Sequence, residues 1–133
     1  KPTPLAMFLS MNDLHFWDVS GNSIYRMLIR MYITLTFAIL IVFDISNRDS
    51  FESLNEWYEA VKDKTSRMKI MPILVGNKSD LNRTVSREEA EKFAFERNMP
   101  YLEVSAKTGS GINELFSYII TKLEVEPYFV EIK

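Results

Sequence analysis

The chain contains no cysteine, four glycines and one histidine among its 133 residues. Without cysteine it forms no disulfide bond, no thiolate metal site and no C-terminal prenylation motif, so we expect no lipid anchor on this chain. The longest apolar run, Phe37 to Phe43, is too short to cross a bilayer. No signal peptide is visible, and we expect a cytoplasmic location with no membrane association encoded in this sequence.

Charge and length narrow the class of protein further. A net charge of −2 argues against nucleic acid as the main partner. A hydrophobic content of 47% and a charged content of 26% are ordinary for a globular protein. We expect residues 1–133 to form one domain, since this length buries a core.

Three apolar runs lack polar alternation: Thr36 to Asp44, Ile70 to Val75 and Tyr101 to Val104. Such runs are typical of parallel strands that are covered on both faces. Apolar residues at helical spacing occur between and after them, and Ser86 with Glu89 predicts a capping box. Strands that alternate with helices predict a three-layer α/β domain with a mostly parallel sheet.

The tetrapeptide Asn77-Lys78-Ser79-Asp80 follows the second of these runs. One carboxylate accepts both nitrogen donors of a guanine ring, and Asp80 is the candidate. Asn77 is placed to bridge neighbouring loops with its amide. Such paired hydrogen bonds discriminate strongly, because the wrong base leaves buried polar groups unpaired. The alternative is an ordinary turn after a strand, which Asn and Asp also favour.

The tripeptide Ser105-Ala106-Lys107 follows the third run and completes this predicted guanine pocket. The stems of Lys78 and Lys107 would lie along the two faces of the purine. The backbone N–H of Ala106 would be available to the guanine carbonyl oxygen, a contact that rejects adenine.

Together, three motifs resemble those of small GTPases of the Ras superfamily, nearest the Rab branch. Residues 77–80 match N-K-x-D, residues 105–107 match S-A-K, and Asp18-Val19-Ser20-Gly21 matches D-x-x-G. The Rab likeness comes from Leu14–Asp18, Ile41–Ser46 and Ser105–Gly109. The resemblance covers roughly residues 14–123, with 1–13 as an atypical segment, and it implies a P-loop GTPase-like fold.

The resemblance implies GTP or GDP with Mg²⁺ as ligands and assigns roles to further residues. Gly21 would give its N–H to the γ-phosphate, and Asp18 would hold Mg²⁺ through water. Asn22 stands where the family has its water-positioning Gln. The segment from Gly21 to Met31 would contact effector or regulator proteins.

The family also has a phosphate loop, G-x-x-x-x-G-K-[ST], before these motifs. The chain contains no Gly-Lys-Ser or Gly-Lys-Thr. We therefore expect an N-terminally truncated form of the fold that binds nucleotide weakly. Hydrolysis is expected to be slow, since the Asn22 amide is one carbon shorter than that of Gln and a misplacement of about 1 Å costs on the order of a hundredfold.

The N-terminal segment raises a question about the sheet. In the family, a first strand lies between the strands that correspond to Leu14–Asp18 and Thr36–Asp44. We expect Leu5–Met11 to pair with Leu14–Asp18 as an antiparallel hairpin and Thr36–Asp44 to lie on its other side. Otherwise Thr36–Asp44 would be a raw apolar edge, which favours aggregation.

Two functions from different classes remain open at this point. The first is a guanine-nucleotide-binding Rab-like switch in vesicle trafficking, in a fragment or degenerate form. The alternative is a non-catalytic pseudo-GTPase interaction module that keeps the scaffold and the partner surface. Whether the chain is an enzyme is left undecided by these residues.

Overall fold

The structure is a computed structural model that describes residues 3–10, 13–18 and 37–125. Its strands are β1 (Thr3–Ser10), β2 (Asp13–Asp18), β3 (Ala38–Asp44), β4 (Met71–Asn77) and β5 (Tyr101–Glu103). Its helices are α1 (Arg48–Glu52), α2 (Leu54–Met68), α3 (Arg87–Glu96) and α4 (Ile112–Val125). None of the helices in these ranges is long and apolar enough to pass through a bilayer.

The strands form one sheet in the order β2-β1-β3-β4-β5. The pairs β3–β4 and β4–β5 are parallel, whereas β1 is antiparallel to both of its neighbours. Four strands therefore run in one direction and β1 runs against them. The predicted α/β class with a mostly parallel sheet is confirmed.

The N-terminal hairpin fills the gap beside β3. Leu5 lies opposite Asp18 on the β2 side and opposite Leu40 on the β3 side. The predicted antiparallel pairing is confirmed, and β1 spans Thr3–Ser10 where Leu5–Met11 was expected. Because β1 and β4 pair with opposite edges of β3, the apolar β3 is not an edge strand.

Side chains of β3 alternate between two cores, one on each face of the sheet. One core contains Ile39, Ile41 and Phe43, with Leu54, Trp57 and Val61 of α2 and Ala90 and Ala94 of α3. The other contains Ala38 and Leu40, with Ile73 and Val75 of β4 and Leu115 and Ile119 of α4. Helices thus cover both faces, which confirms the three-layer arrangement.

Helix α3 begins with the predicted capping box. Ser86 Oγ accepts from the Glu89 N–H at 3.1 Å, and the Ser86 N–H donates to Glu89 Oε2 at 3.0 Å. The Glu89 carboxylate also accepts two hydrogen bonds from the Arg48 guanidinium, which ties α1 to α3. One carboxylate therefore serves as both a helix cap and a tertiary contact.

This contact makes stability depend on pH. The Arg48 hydrogen bonds, with help from Ser86, lower the pKa of Glu89 from 4.5 to about 2. Its stabilising effect is complete above pH 4.5 and is lost as the pH falls toward 2. We expect Glu89→Gln to lower the thermal midpoint by a constant amount above pH 4.5, and the difference from wild type to shrink below it.

Thermal unfolding followed by circular dichroism measures this, with Glu88→Gln as the control. Glu88 is exposed in the same first turn of α3, so this variant loses a charge at the same helix terminus. A Glu89→Gln difference that stays the same from pH 7 to pH 2 would contradict the assignment.

Candidate functional site

The candidate site lies where β3, β4 and β5 end. Asp44 and Asn77, the last residues of β3 and β4, are register partners. The loop after β4 joins the loop after β5 through the Ser79 N–H, which donates to the Val104 carbonyl at 3.1 Å. Carboxyl ends of neighbouring parallel strands are the usual ligand position in such sheets.

Asp80 and Ser105 are joined directly. The buried Ser105 hydroxyl donates to Asp80 Oδ1 at 2.6 Å, and it accepts from the Thr108 N–H at 3.1 Å. The Ser105 hydrogen bond, then a hydrogen bond from the Asp80 backbone N–H, and then the charges of Lys107 and Lys78 lower the pKa of the exposed Asp80 carboxyl. Asp80 is therefore ionised at neutral pH. The Ser105 hydroxyl orients its carboxylate, which is exposed to a ligand.

Asn77 bridges the two loops, as its amide was predicted to do. Its Oδ1 accepts from the Ala106 N–H at 3.0 Å, and its carbonyl accepts from the Ile45 N–H at 3.0 Å. The Ala106 N–H, which was expected to be available to a ligand, donates to Asn77 in this structure. A ligand carbonyl would have to share this donor with Asn77 or displace the amide.

Lys78 turns back toward β3. Its backbone is left-handed, with φ of 62°, and its Nζ lies 3.0 Å from Asp44 Oδ2. Sequence reasoning did not include Asp44 in the site. The sequence did carry a signal for it. Asp44 is an acidic residue at the end of the first apolar run, and parallel strands place that end beside the end of the second run. Lys107 is exposed, and its charge acts on Asp80.

Glycines allow the loop after β5 to close tightly. Gly109 and Gly111 have φ of 86° and 75°, in the left-handed region that favours glycine. A Cβ on Gly111 would collide with the Glu103 carbonyl oxygen. The Ser105 N–H donates to the Ser110 carbonyl at 2.8 Å, which fixes the loop that carries residues 105–107.

The far side of the loop after β4 is held by ion pairs. The Glu103 carboxylate is only 12% exposed, and it pairs with Arg83 of this loop at 2.5 Å and with Arg87 of α3 at 3.2 Å. The Tyr101 hydroxyl donates to the same carboxylate at 2.6 Å. The loop after β4 is therefore anchored through Glu103 of β5 as well as through Ser105.

The structure does not bring Asp18 to this cluster. Leu5 faces Asp18 on one side and Leu40 on the other, so Asp18 is level with the middle of β3 and not with its end at Asp44. Gly21 and Asn22, with the predicted partner segment 21–31, lie outside the described residues. Among the residues that are described, no group of three or more His, Cys, Asp or Glu is placed to hold a metal ion.

A sequence model of the Ras family matches residues 6–125. The chain belongs to the Ras family. The match begins within β1, in the segment that the sequence analysis set apart.

Several similar curated proteins are Ras-related Rab proteins. Rab-2B of Dictyostelium discoideum is 39% identical over 129 residues, which cover 90% of this chain and 63% of that protein. Rab-42 of Mus musculus is 35% identical over 84% of this chain and 52% of its own length. Rab-39A of Homo sapiens is 39% identical over 80% and 50%. The chain is thus Rab-like and spans half to just under two thirds of these relatives.

Gly76, the residue before Asn77, offers a test of packing at the base of the site. A Cβ there would lie 2.5 Å from Tyr101 Oη and 3.0 Å from two side-chain carbons of Ile45. We expect Gly76→Ala to lower the free energy of unfolding by about 1–3 kcal/mol through overpacking. Urea denaturation measures the loss.

The matched test adds Tyr101→Phe, which removes the nearest atom. Part of the loss should then be recovered, because the two sites are in contact and their effects are not additive. Strictly additive effects would mean that Tyr101 does not limit the space above Gly76.

Proposed function

We propose that this Rab-like chain recognises the guanine base of GTP or GDP with residues 77–80 and 105–107, as part of a switch in vesicle trafficking. The observation that carries the proposal is the ionised Asp80 carboxylate, which accepts a hydrogen bond from the buried Ser105 hydroxyl. The Ras family match and the similarity to Rab-2B, Rab-42 and Rab-39A support the switch role.

The base would be read by complementary hydrogen bonds. The Asp80 carboxylate would accept from the guanine N1–H and the exocyclic amine, since ionised carboxylates are acceptors only. The guanine carbonyl oxygen would take the Ala106 N–H now bonded to Asn77, and the freed Asn77 amide could turn toward the ring. Adenine presents an amine where guanine has its carbonyl and would leave these groups unpaired.

The phosphates and Mg²⁺ are supported by the family alone. When bound, Mg²⁺ would neutralise phosphate charge. The resemblance assigns Asp18 and Gly21 to that side, although Asp18 lies level with the middle of β3 in this structure. Effector or regulator proteins are proposed to bind segment 21–31. Among the described residues, 77–80 and 105–107 are the ones proposed to form the base half of the site.

The isolated 133-residue chain should therefore bind GDP weakly. Its proposed contacts would reach only the base, and no Gly-Lys-Ser or Gly-Lys-Thr is present to bind the phosphates. We expect calorimetry with GDP and Mg²⁺ to show no binding tighter than about micromolar. Retention of GDP through purification at sub-nanomolar affinity would contradict this expectation.

Base reading is tested by Asp80→Asn. The substitution replaces one acceptor oxygen with an amide donor, so the two guanine donors no longer meet paired acceptors. Xanthine has a carbonyl where guanine has its amine, so the preference for GDP over xanthosine diphosphate should fall or reverse. Titrations of both nucleotides measure the ratio, and Asp63→Asn on the exposed face of α2 is the control.

An unchanged ratio in Asp80→Asn would show that the base is not read here. It would then favour the second candidate, a non-catalytic interaction module. That candidate draws support from Asn22 at the position of the water-orienting Gln and from the missing Gly-Lys-Ser or Gly-Lys-Thr. The transcript sequence upstream of Lys1 discriminates further, because a strand followed by G-x-x-x-x-G-K-[ST] would make this part of an active GTPase.

A further inference from the structure

Asp44 places a mostly covered charge beside the base-reading loop. It ends β3 and lies opposite Asn77 across the β3–β4 pair. Its side chain is 15% exposed, whereas that of its ion-pair partner Lys78 is 52% exposed. The mostly buried charge of Asp44 is thus paired with a lysine whose side chain is about half exposed at the site.

The Asp44 carboxylate is held in one orientation. Its Oδ1 accepts from the Ser46 N–H at 2.8 Å and from the Ser46 hydroxyl at 2.6 Å. Its backbone is fixed by the buried Ser50, whose hydroxyl accepts from the Asp44 N–H at 2.9 Å. Because Ser46 binds Oδ1, the other oxygen, Oδ2, is the one that pairs with Lys78.

Lys78 meets this carboxylate because of its backbone. The left-handed φ of 62° turns residue 78 off the line of β4, and its Nζ reaches Asp44 Oδ2 at 3.0 Å. Burial raises the pKa of Asp44, but hydrogen bonds from Ser46 and Lys78 outweigh burial and leave the pKa below its usual value. Asp44 is therefore charged at neutral pH and pairs with the ammonium.

We propose that Asp44 is a positioning residue of the base site, which holds the Lys78 ammonium so that the Lys78 stem covers one face of the purine. The inference rests on the proposed function, because the stem has a face to cover only if a purine binds there. An unpaired lysine samples many rotamers, and ordering it on binding lowers affinity. Pairing with a fixed carboxylate orders the stem beforehand and leaves its methylenes as the contact surface.

The test uses Asp44→Asn in the full chain. Asparagine keeps the shape and an oxygen acceptor for Ser46 but removes the charge that holds Lys78. We expect GDP affinity to fall about three- to tenfold, the effect of a side chain that must be ordered on binding. Nuclear magnetic resonance titration with GDP measures it at the amides of residues 105–107, and Asp63→Asn should bind like wild type.

A double-mutant cycle separates positioning from general damage. In a Lys78→Gln background the ammonium is already absent, so Asp44→Asn should cause no further loss of GDP affinity. A loss of equal size in both backgrounds would overturn the proposal, because Asp44 would then act without Lys78.

A second readout needs no nucleotide. The pKa of the Asp44 carboxyl, followed by carbon resonance titration, should rise in Lys78→Gln, since one of its stabilising partners is removed. An unchanged Asp44 pKa would show that the pair does not form and would overturn the inference outright.

The outcomes distinguish this inference from the function on which it rests. If wild type and Asp44→Asn bind GDP equally, the positioning role fails while the base site stands. If wild type shows no guanine preference even though the Asp44 pKa responds to Lys78→Gln, the base site fails and the role of Asp44 in it fails too. A coupled loss of affinity with a raised Asp44 pKa supports both.

Discussion

The parallel pairing of β3 with β4 is the constraint on which the rest of the structure depends. Seven consecutive residues of each strand are register partners, from Ala38 with Met71 to Asp44 with Asn77. Five of the seven residues of β3 are buried, and its side chains alternate between the two cores, so a slip by one residue would exchange the contents of the cores. Burial therefore fixes the register, and the register places Asp44 opposite Asn77.

The polar site follows from that register. Because both strands end at the same level, their loops begin side by side, and hydrogen bonds complete the contact with the loop after β5. Two contacts at this edge of the sheet involve ionised groups: the buried Ser105 hydroxyl with Asp80, and the mostly buried Asp44 carboxylate with Lys78. Charge-assisted bonds are stronger than neutral ones, so the site is organised before any ligand arrives.

The N-terminal hairpin pairs with the edge of β3 that β4 leaves open. An apolar β3 open along one edge would leave backbone N–H and C=O groups unpaired, at about 1–3 kcal/mol for each buried group. β1 covers that edge although it runs antiparallel to β3. This arrangement leaves Asp18 level with Leu40, in the middle of β3, and away from the end of β3 at Asp44.

The sequence by itself determined the layers and the two loops that form the candidate site. Unbroken apolar runs identify covered parallel strands, Ser86 and Glu89 identify a helix start, and residues 77–80 and 105–107 identify the loops that meet. These signals are local, because strand burial, capping and turn chemistry depend on residues close in the chain. Only the tertiary structure decided that Asn77 takes the Ala106 N–H and that Asp44 holds Lys78. Both contacts depend on side-chain distances across strands more than 25 residues apart, for which a single sequence carries no periodic signal.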